Sequence, residues 1–170
     1  MNEAAPIILA ALMDKGSQAH FTALRTRHFP PERNYLAAHI TMFHHLPGTR
    51  ADDLVADVKD ELRHHGPITA RTVKVHMMGR GVSYVVESEG LRDLRARLAA
   101  RWAADLVPQD RAGWRPHITV QNKVKPDAAK ALHAELGAGF APREIGIEGV
   151  TLWWYRGGPW ERLRDVRFRR

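Results

Sequence analysis

The chain contains no cysteine among its 170 residues. Without thiols it can form neither a disulfide framework nor a thiolate zinc site, and this absence is typical of a protein in a reducing compartment. Long apolar runs are missing as well. The stretch Ile7–Met13 ends at Asp14 and follows an acidic lead, so it is too short for a membrane span and lacks the basic start of a signal peptide. We therefore expect a cytoplasmic protein without a membrane anchor.

Acidic residues are outnumbered by basic ones, 19 against 26, so the net charge is +7 with histidine neutral. A folded domain this basic usually attracts a polyanion or an anionic small molecule. Asp93 and Asp105 interleave with the arginines of the middle segment, which indicates a solvated helix face there. The C-terminal arginines are less balanced by acidic residues. The two groups are Arg92, Arg95, Arg97 and Arg101 in the middle, and Arg156, Arg162, Arg164, Arg167, Arg169 and Arg170 at the C-terminus.

Two short segments repeat the pattern His-x-Thr inside apolar runs. They are His39–Thr41 and His117–Thr119, and they lie 78 positions apart. Because side chains alternate along an extended strand, the histidine and threonine of each segment project to the same face. Two such strands across a groove would offer two groups that exchange protons near neutral pH and two hydroxyls that hold an anionic oxygen. The pattern predicts acid-base cleavage at a phosphate ester.

A third match to the pattern, His20–Thr22, lies in a segment with helical periodicity. Phe21, Leu24 and Arg25 predict one face of a helix that begins at Ser17. Residues two apart on a helix point roughly 200° apart, so this histidine and threonine cannot share a ligand. We exclude this copy from the candidate site.

The rest of the sequence alternates between strand and helix patterns. The predicted strands are Ile7–Met13, 37–43, Ile68–Met77, Val82–Glu87, 115–123, 145–155 and 160–168, and the predicted helices are 17–27, 52–65, 90–106 and 126–137. The segment 79–81, Gly-Arg-Gly, predicts a hairpin. Each half contains a motif strand, a turn, a helix and a strand pair. We therefore predict an α+β fold, mostly antiparallel, in which residues 1–170 form a single bilobal domain of two similar lobes.

The segments around both motifs resemble those of a known family, the two-histidine (2H) phosphoesterase superfamily. Residues 39–48, His-Ile-Thr-Met-Phe-His-His-Leu-Pro-Gly, resemble its first motif and the turn that follows. Residues 114–123 resemble the second motif, and residues 24–31 the lead-in to the first. The resemblance is to the bacterial 2′-5′ RNA ligase-like (LigT-like) or RNA 2′,3′-cyclic phosphodiesterase members, and it extends from about Ile7 to the end. Met42 and Val120 stand where leucine is commoner, and both are expected to face the core.

This resemblance implies a pseudo-two-fold fold in which each lobe contributes an antiparallel sheet to a central groove, with helices outside. It implies that His39 and His117 are catalytic and that Thr41 and Thr119 bind phosphate. The implied reaction is metal-independent hydrolysis of 2′,3′-cyclic phosphate ends of RNA or nucleotides, with reversible 2′-5′ RNA ligation as a second reaction when an RNA hydroxyl is the nucleophile. No cofactor and no obligate protein partner are implied. A small cyclic nucleotide or a 2′-5′ oligonucleotide is an equally allowed substrate.

Further residues are candidates to line the groove. Phe43 and Gln121 lie two positions beyond each threonine, so alternation predicts that they share its face. Aromatic side chains could stack on a base, and arginines could attract phosphate, although burial in the core or plain exposure is the ordinary alternative. These aromatic and arginine candidates are Tyr84, Trp114, Trp154, Tyr155, Arg115 and Arg156.

Two functions of other classes compete with the phosphoesterase. A metal-dependent hydrolase is suggested by further histidines, namely His44-His45, His64-His65 and His76. Adjacent histidines point apart, however, and the sequence has no His-Glu-x-x-His spacing, so we expect no metal site. A basic module could instead bind RNA or phosphate without turnover. Histidine in both motifs favours the enzyme, because arginine, lysine or backbone amides hold phosphate equally well. The sequence does not assign acid and base between the two motif histidines.

Overall fold

The computed structural model describes residues 4–169. Met1, Asn2 and Glu3 of the acidic lead, and Arg170 of the C-terminal arginine group, lie outside the described residues. The strands are β1 (Ile7–Met13), β2 (Ile40–Leu46), β3 (Ile68–Met77), β4 (Val82–Glu87), β5 (His117–Gln121), β6 (Glu144–Trp154) and β7 (Glu161–Arg167). The helices are α1 (Lys15–His28), α2 (Ala51–Arg63), α3 (Glu89–Arg101), α4 (Pro108–Arg111) and α5 (Pro126–Ala138).

The strands form one antiparallel sheet in the order β2-β1-β6-β3-β4-β5, and β7 pairs with β6. The first half of the chain supplies β1, α1, β2, α2 and β3, and the second half supplies β4, α3, β5, α5 and β6 in the same succession. If β1, β2 and β3 are exchanged with β4, β5 and β6, the same strand order results, read from the other end of the sheet. The predicted α+β fold of duplicated antiparallel lobes is therefore confirmed. Strand β7 has no counterpart in the first half.

The sequence prediction located every strand and every helix except α4, and its other errors lie at the ends of the elements. The bounds of β1, β3 and β4 coincide with the predicted ones, whereas β2 lies three residues further along than predicted. Helix α1 does not begin at Ser17, because Asp14 caps it: the Asp14 carboxylate accepts hydrogen bonds from Ser17 N at 2.8 Å and Ser17 Oγ at 2.7 Å. Asp14 also accepts from Gly146 N at 2.8 Å, which ties α1 to β6.

The helices cover one face of the sheet and leave the other for a groove. Along β1, Ile7, Leu9, Ala11 and Met13 belong to the core beneath the helices, while Ala10 projects to the opposite face. The helices contribute fully buried side chains to this core, including Phe21, Leu54, Leu62, Leu91, Leu94 and Leu98, and Trp102, directly after α3, adds another. Burial of this apolar surface is the main source of stability. Met42 and Val120 are completely buried in it, as predicted.

A β-bulge follows the threonine in β2. Leu9 of β1 pairs with Phe43 and Ala10 pairs with Thr41, so Met42 is an extra residue on the β2 side. The bulge lets two consecutive side chains, those of Met42 and Phe43, point into the core, where neither is exposed. The prediction that Phe43 lines the groove is therefore wrong, because the bulge interrupts the alternation on which it rested.

The same irregularity recurs in β5. Val82 of β4 pairs with Gln121 and Ser83 pairs with Thr119, which leaves Val120 as the extra residue. Val120 and Gln121 are both buried, at 0% and 6% exposure. Gln121 therefore does not line an open groove either, and that prediction is wrong for the same reason. The duplication thus includes the bulge one residue after each threonine, a feature that the tripeptide pattern does not reveal.

Two buried arginines connect the helices of each half to the motif strand of the other half. Arg25 on α1 is 4% exposed and donates from Nη1 to Thr119 O at 3.1 Å. Its Nε donates to Asn34 Oδ1 at 2.8 Å and to Leu36 O at 3.0 Å. The guanidinium therefore binds β5 and the segment that leads into β2 together.

Arg95 on α3 is the corresponding link in the opposite direction. It donates from Nε to Met42 O at 3.1 Å and from Nη2 to Asp110 O at 2.7 Å, and its guanidinium lies 4.4 Å from the centre of the Phe43 ring. Arg95 is only 9% exposed. The prediction of a solvated face is wrong at this residue, because the guanidinium bonds peptide carbonyls inside the protein instead of water.

Asp110 of α4 completes the support of β2. Its carboxylate is fully buried and accepts hydrogen bonds from His44 N at 2.8 Å, His45 N at 3.0 Å and His44 Nδ1 at 3.1 Å. Burial alone would raise the pKa of Asp110, but these hydrogen bonds outweigh it and lower the pKa. The carboxylate thus accepts hydrogen bonds from peptide N–H groups of β2, which is the last strand on its side of the sheet.

Replacing Asp110 with alanine should destabilise the protein by about 3 kcal/mol, because two peptide N–H groups of β2 lose their buried charged acceptor. Urea denaturation at pH 7 measures the change. Asp93→Ala is the control, since Asp93 is exposed on α3, and it should stay within about 0.5 kcal/mol of the parent. An Asp110→Ala protein as stable as the control would contradict this role.

Candidate active site

The two motif histidines have the same local geometry. His39 Nδ1 donates to Ala37 O at 2.9 Å, and His117 Nδ1 donates to Arg115 O at 2.8 Å. In each case the acceptor is the carbonyl two residues earlier. A histidine that donates from Nδ1 keeps Nε2 free to accept a proton when neutral and to give one up when charged. Both rings are therefore oriented and held in the tautomer that acid-base chemistry requires.

The strand register shows which side chains share a face with the threonines. Ala10 pairs with both Thr41 and Thr151, and Thr151 pairs with Asp165, so these four residues form one row across β2, β1, β6 and β7. Thr151 Oγ1 donates to Asp165 Oδ1 at 2.7 Å. The first half-site therefore continues into a hydroxyl and a carboxylate.

The second half-site has different neighbours in the corresponding row. Ser83 pairs with Thr119 and with His76, so these three residues lie in line across β5, β4 and β3. Lys74, which pairs with Val85 beside His117, lies on the same face. The two half-sites thus share a backbone geometry but differ in the groups beyond it.

The threonine hydroxyls are available for a ligand. Thr41 and Thr119 are both partly exposed. Thr119 Oγ1 has a weak contact with Met78 Sδ at 3.9 Å, and among the described residues Thr41 Oγ1 makes no hydrogen bond. A hydroxyl without a strong protein partner can donate to an anionic oxygen.

His39 has a strongly perturbed acidity. Burial of the ring lowers the pKa of His39 from 6.5 to about 4, against the opposing effect of the hydrogen bond to Ala37. The charge of Arg25 lowers the pKa further, as do those of His117 and His44. At pH 7 His39 is therefore neutral in the free protein.

A cavity of about 600 Å³ opens beside His39, between the loop before β2 and the face of β6 and β7. The ring of Trp160 lies 4.6 Å from that of His39 and 6.1 Å from that of Trp153, centre to centre. Arg162 lies 5.3 Å from the centre of the Trp153 ring. Sequence reasoning missed these three residues. Alternation along β6 could have identified Trp153, because it shares a face with Thr151.

Other predicted groove residues lie elsewhere. Tyr84 is 9% exposed and packs edge-on against Phe21 at 5.6 Å, on the helix side of the sheet, so its assignment to the groove is wrong. Trp114 is partly buried and donates from Nε1 to Thr41 O at 2.9 Å. It therefore supports the first motif strand, as Arg95 and Asp110 also do.

The predicted groove residues near the C-terminus also differ in where they lie. Arg156 donates from Nε to Glu161 Oε2 at 2.9 Å and lies over Trp154, which packs against the core. Its guanidinium is thus directed away from the threonine face, and the prediction that it lines the groove is wrong. Tyr155 is 43% exposed and lies outside the cavity lining, while Arg115 is exposed beside His117.

The fold, the duplicated His-x-Thr geometry and a family comparison agree. The model of the 2′-5′ RNA ligase superfamily matches residues 13–159 of this chain. The chain belongs to this superfamily. It is therefore a member of the 2H phosphoesterases, and both histidine motifs fall within the matched residues.

Solved structures share the fold of this superfamily member. It is similar to protein TT0787 of Thermus thermophilus, with a TM-score of 0.69 and 18% identity over 96% of this chain and 98% of that one. It is also similar to Escherichia coli LigT complexed with NADP+, with a TM-score of 0.62 and 19% identity over 98% and 99% of the two chains. For LigT complexed with 3′-AMP, the TM-score is 0.63 and the identity is 18% over 99% of this chain and 100% of that one. No curated protein matches the sequence.

The described part of this 2H phosphoesterase has two further properties. Within residues 4–169, no three His, Asp or Glu side chains form a group that could hold a metal ion. None of the helices in that range is long and apolar enough to cross a membrane.

The lowered pKa of His39 predicts a pH dependence of stability. Because the folded protein holds a proton on His39 less readily than the unfolded chain, stability is complete above about pH 6.5 and falls as the pH drops toward about 4. The free energy of unfolding should therefore decrease between pH 7 and pH 5 by less in His39→Gln than in the parent. The difference between the two decreases should be roughly 1 kcal/mol, after allowance for solvent screening of a half-buried ring. Urea denaturation at both pH values measures this. Equal losses in both proteins would contradict the perturbed pKa.

Proposed function

We propose that this protein is a metal-independent phosphodiesterase that hydrolyses 2′,3′-cyclic phosphate ends of RNA or nucleotides, with the whole chain acting as one bilobal domain. The observation that carries the proposal is the duplicated histidine geometry, in which each Nδ1 donates to a carbonyl and each Nε2 has no hydrogen-bond partner within residues 4–169. Superfamily membership and the likeness to LigT, which was crystallised with 3′-AMP, support it.

The two histidines have complementary roles in this proposal. His39, neutral at pH 7, accepts a proton from the water that attacks phosphorus. His117, in its protonated form, donates a proton to the ribose oxygen as its bond to phosphorus breaks. The products are a phosphate monoester and a free ribose hydroxyl. If an RNA hydroxyl instead of water attacks phosphorus, the same ring opening forms a 2′-5′ linkage and frees the 3′ hydroxyl of the ribose.

The threonines stabilise the charge that develops during this reaction. Thr41 and Thr119 project from the two motif strands beside the histidines, and their hydroxyls donate to the non-bridging phosphate oxygens. Arg25 lies behind the second motif, bonded to Thr119 O, and its buried positive charge favours an anion at the site. No step of this mechanism requires a metal ion.

Replacing His39 or His117 with alanine should lower turnover of a 2′,3′-cyclic nucleotide by roughly 10²- to 10⁴-fold, because each variant lacks one proton-transfer group. The assay compares a cyclic nucleotide with an RNA carrying the same end, with and without a chelator. Circular dichroism checks that the variants are folded. Activity that disappears with chelator would favour a metal-dependent hydrolase, and RNA binding without any turnover would favour a non-catalytic module.

The assignment of acid and base has its own test. An ester with a nitrophenolate leaving group needs no proton donor, so on such a substrate His117→Ala should recover most of its lost activity and His39→Ala should not. Recovery by His39→Ala alone would reverse the two roles.

Thr41→Val and Thr119→Val should each reduce kcat by an amount equivalent to about 1.5–3 kcal/mol, the loss of one hydrogen bond to an anionic oxygen. Valine keeps the shape and the β-branching, and both sites are partly exposed, so folding should be retained. Steady-state kinetics on the cyclic nucleotide measures the effect. Unchanged kcat in both variants would remove the hydroxyls from the mechanism.

Salt dependence should separate an RNA end from a small substrate. Each phosphate contact of single-stranded RNA adds about 0.7 to the slope of log affinity against log salt. Arg162 and Arg167 line the cavity, opposite Trp153 and Gly149 in the strand register. The double variant Arg162→Ala/Arg167→Ala should therefore reduce the slope of log KM against log salt for a short RNA. Arg164 is the control, because it pairs with Leu152 and projects to the opposite face. Equal shallow slopes for RNA and a cyclic mononucleotide would mean that the substrate is small.

A further inference from the structure

The groove is asymmetric, although the two half-sites that border it share a backbone geometry. Strand β7 pairs only with the second part of β6, from Gly149 to Trp154, and among the described strands it has no equivalent beside β3. It adds Arg162, Asp165 and Arg167 to the threonine face, and the turn before it carries Trp160. The cavity of about 600 Å³ therefore opens beside His39.

Aromatic surface dominates the part of this cavity that is nearest to His39. Trp153 and Trp160 are both partly exposed and lie 6.1 Å apart at a tilt of 52°, and Tyr35, 62% exposed, lies at the rim. Exposed tryptophans are uncommon on a surface unless they contact something, because their large apolar faces gain most from leaving water. Two tilted indole faces offer stacking surfaces to a flat aromatic ligand.

Polar groups line the same cavity behind the tryptophans. Asp165 accepts a hydrogen bond from Thr151 Oγ1 at 2.7 Å and lies 3.6 Å from Arg162 Nη1, so its position is fixed. A carboxylate, a hydroxyl and a guanidinium offer acceptors and donors to the polar edge of a heterocycle or to ribose hydroxyls. A volume of this size lies within the range of small-molecule sites. A purely apolar ligand would leave these groups unpaired.

We propose that this cavity binds the nucleobase of the nucleotide that carries the reacting phosphate, stacked on Trp153 and Trp160, so that the base lies on the His39 side of the groove. The inference rests on the proposed function, because it takes the His-Thr pairs as the phosphate site. Base stacking on aromatic side chains accepts every base, since each has a π-face. The site therefore recognises a base of any kind near the phosphate.

Calorimetric titration with 3′-AMP and with inorganic phosphate tests the proposal. The parent should bind 3′-AMP more tightly than phosphate. Trp160→Leu and Trp153→Leu should each weaken 3′-AMP binding by roughly 5- to 100-fold and leave phosphate binding unchanged. Trp160→Phe should retain most of the affinity, because a smaller aromatic face remains. Arg164→Ala, on the opposite face, is the matched surface control and should bind both ligands as the parent does.

Two results would overturn the proposal. Equal weakening of 3′-AMP and phosphate by Trp160→Leu would mean that Trp160 only positions His39, and unchanged affinities in both tryptophan variants would mean that the base lies elsewhere. Turnover tests the proposed function separately. A parent that hydrolyses cyclic phosphates with no tryptophan dependence keeps that function and loses the base site. A parent that binds 3′-AMP through Trp160 without turning over any cyclic phosphate keeps the base site and loses the function.

Discussion

The arrangement of the site depends on two guanidinium groups that are buried and bonded to peptide carbonyls. Arg25 on α1 bonds Thr119 O of the second motif strand, and Arg95 on α3 bonds Met42 O of the first. A buried charge is costly unless hydrogen bonds replace its water, so neither arginine can move without losing them. The helices of each half are therefore tied to the motif strand of the other half. This crossed connection holds the two histidine motifs in a fixed relation.

The same charges affect the chemistry. Arg25 bonds the strand that carries His117 and lowers the pKa of His39, so one residue connects both halves electrostatically as well as mechanically. A positive potential around the site favours the neutral form of His39 and the binding of an anion. A bound phosphate would partly cancel that potential. His39 is thus neutral in the free protein, before any anion binds.

Local patterns in the sequence predicted the elements because most strands here alternate regularly, and the bounds of β1, β3 and β4 coincide with the predicted ones. The motif residues could also be identified from the sequence, since each His-x-Thr needs only strand alternation to be recognised. Phe43 and Gln121 were misplaced because a bulge depends on the pairing of two strands, which no single segment encodes. Arg95 was misplaced because its partners, Met42 O and Asp110 O, are distant backbone atoms.

Duplication explains why the protein has two motif histidines in the same geometry, but a symmetric groove could not orient a substrate that has different groups on its two sides. The halves differ where it matters: Thr151 and Asp165 extend the row of Thr41, whereas Ser83 and His76 extend that of Thr119. The added strand β7 supplies this difference next to His39 without altering either motif strand. The geometry of the two histidine motifs and the asymmetry of the groove therefore reside in separate parts of the chain, and substitutions in β7 can change the second while the duplicated core preserves the first.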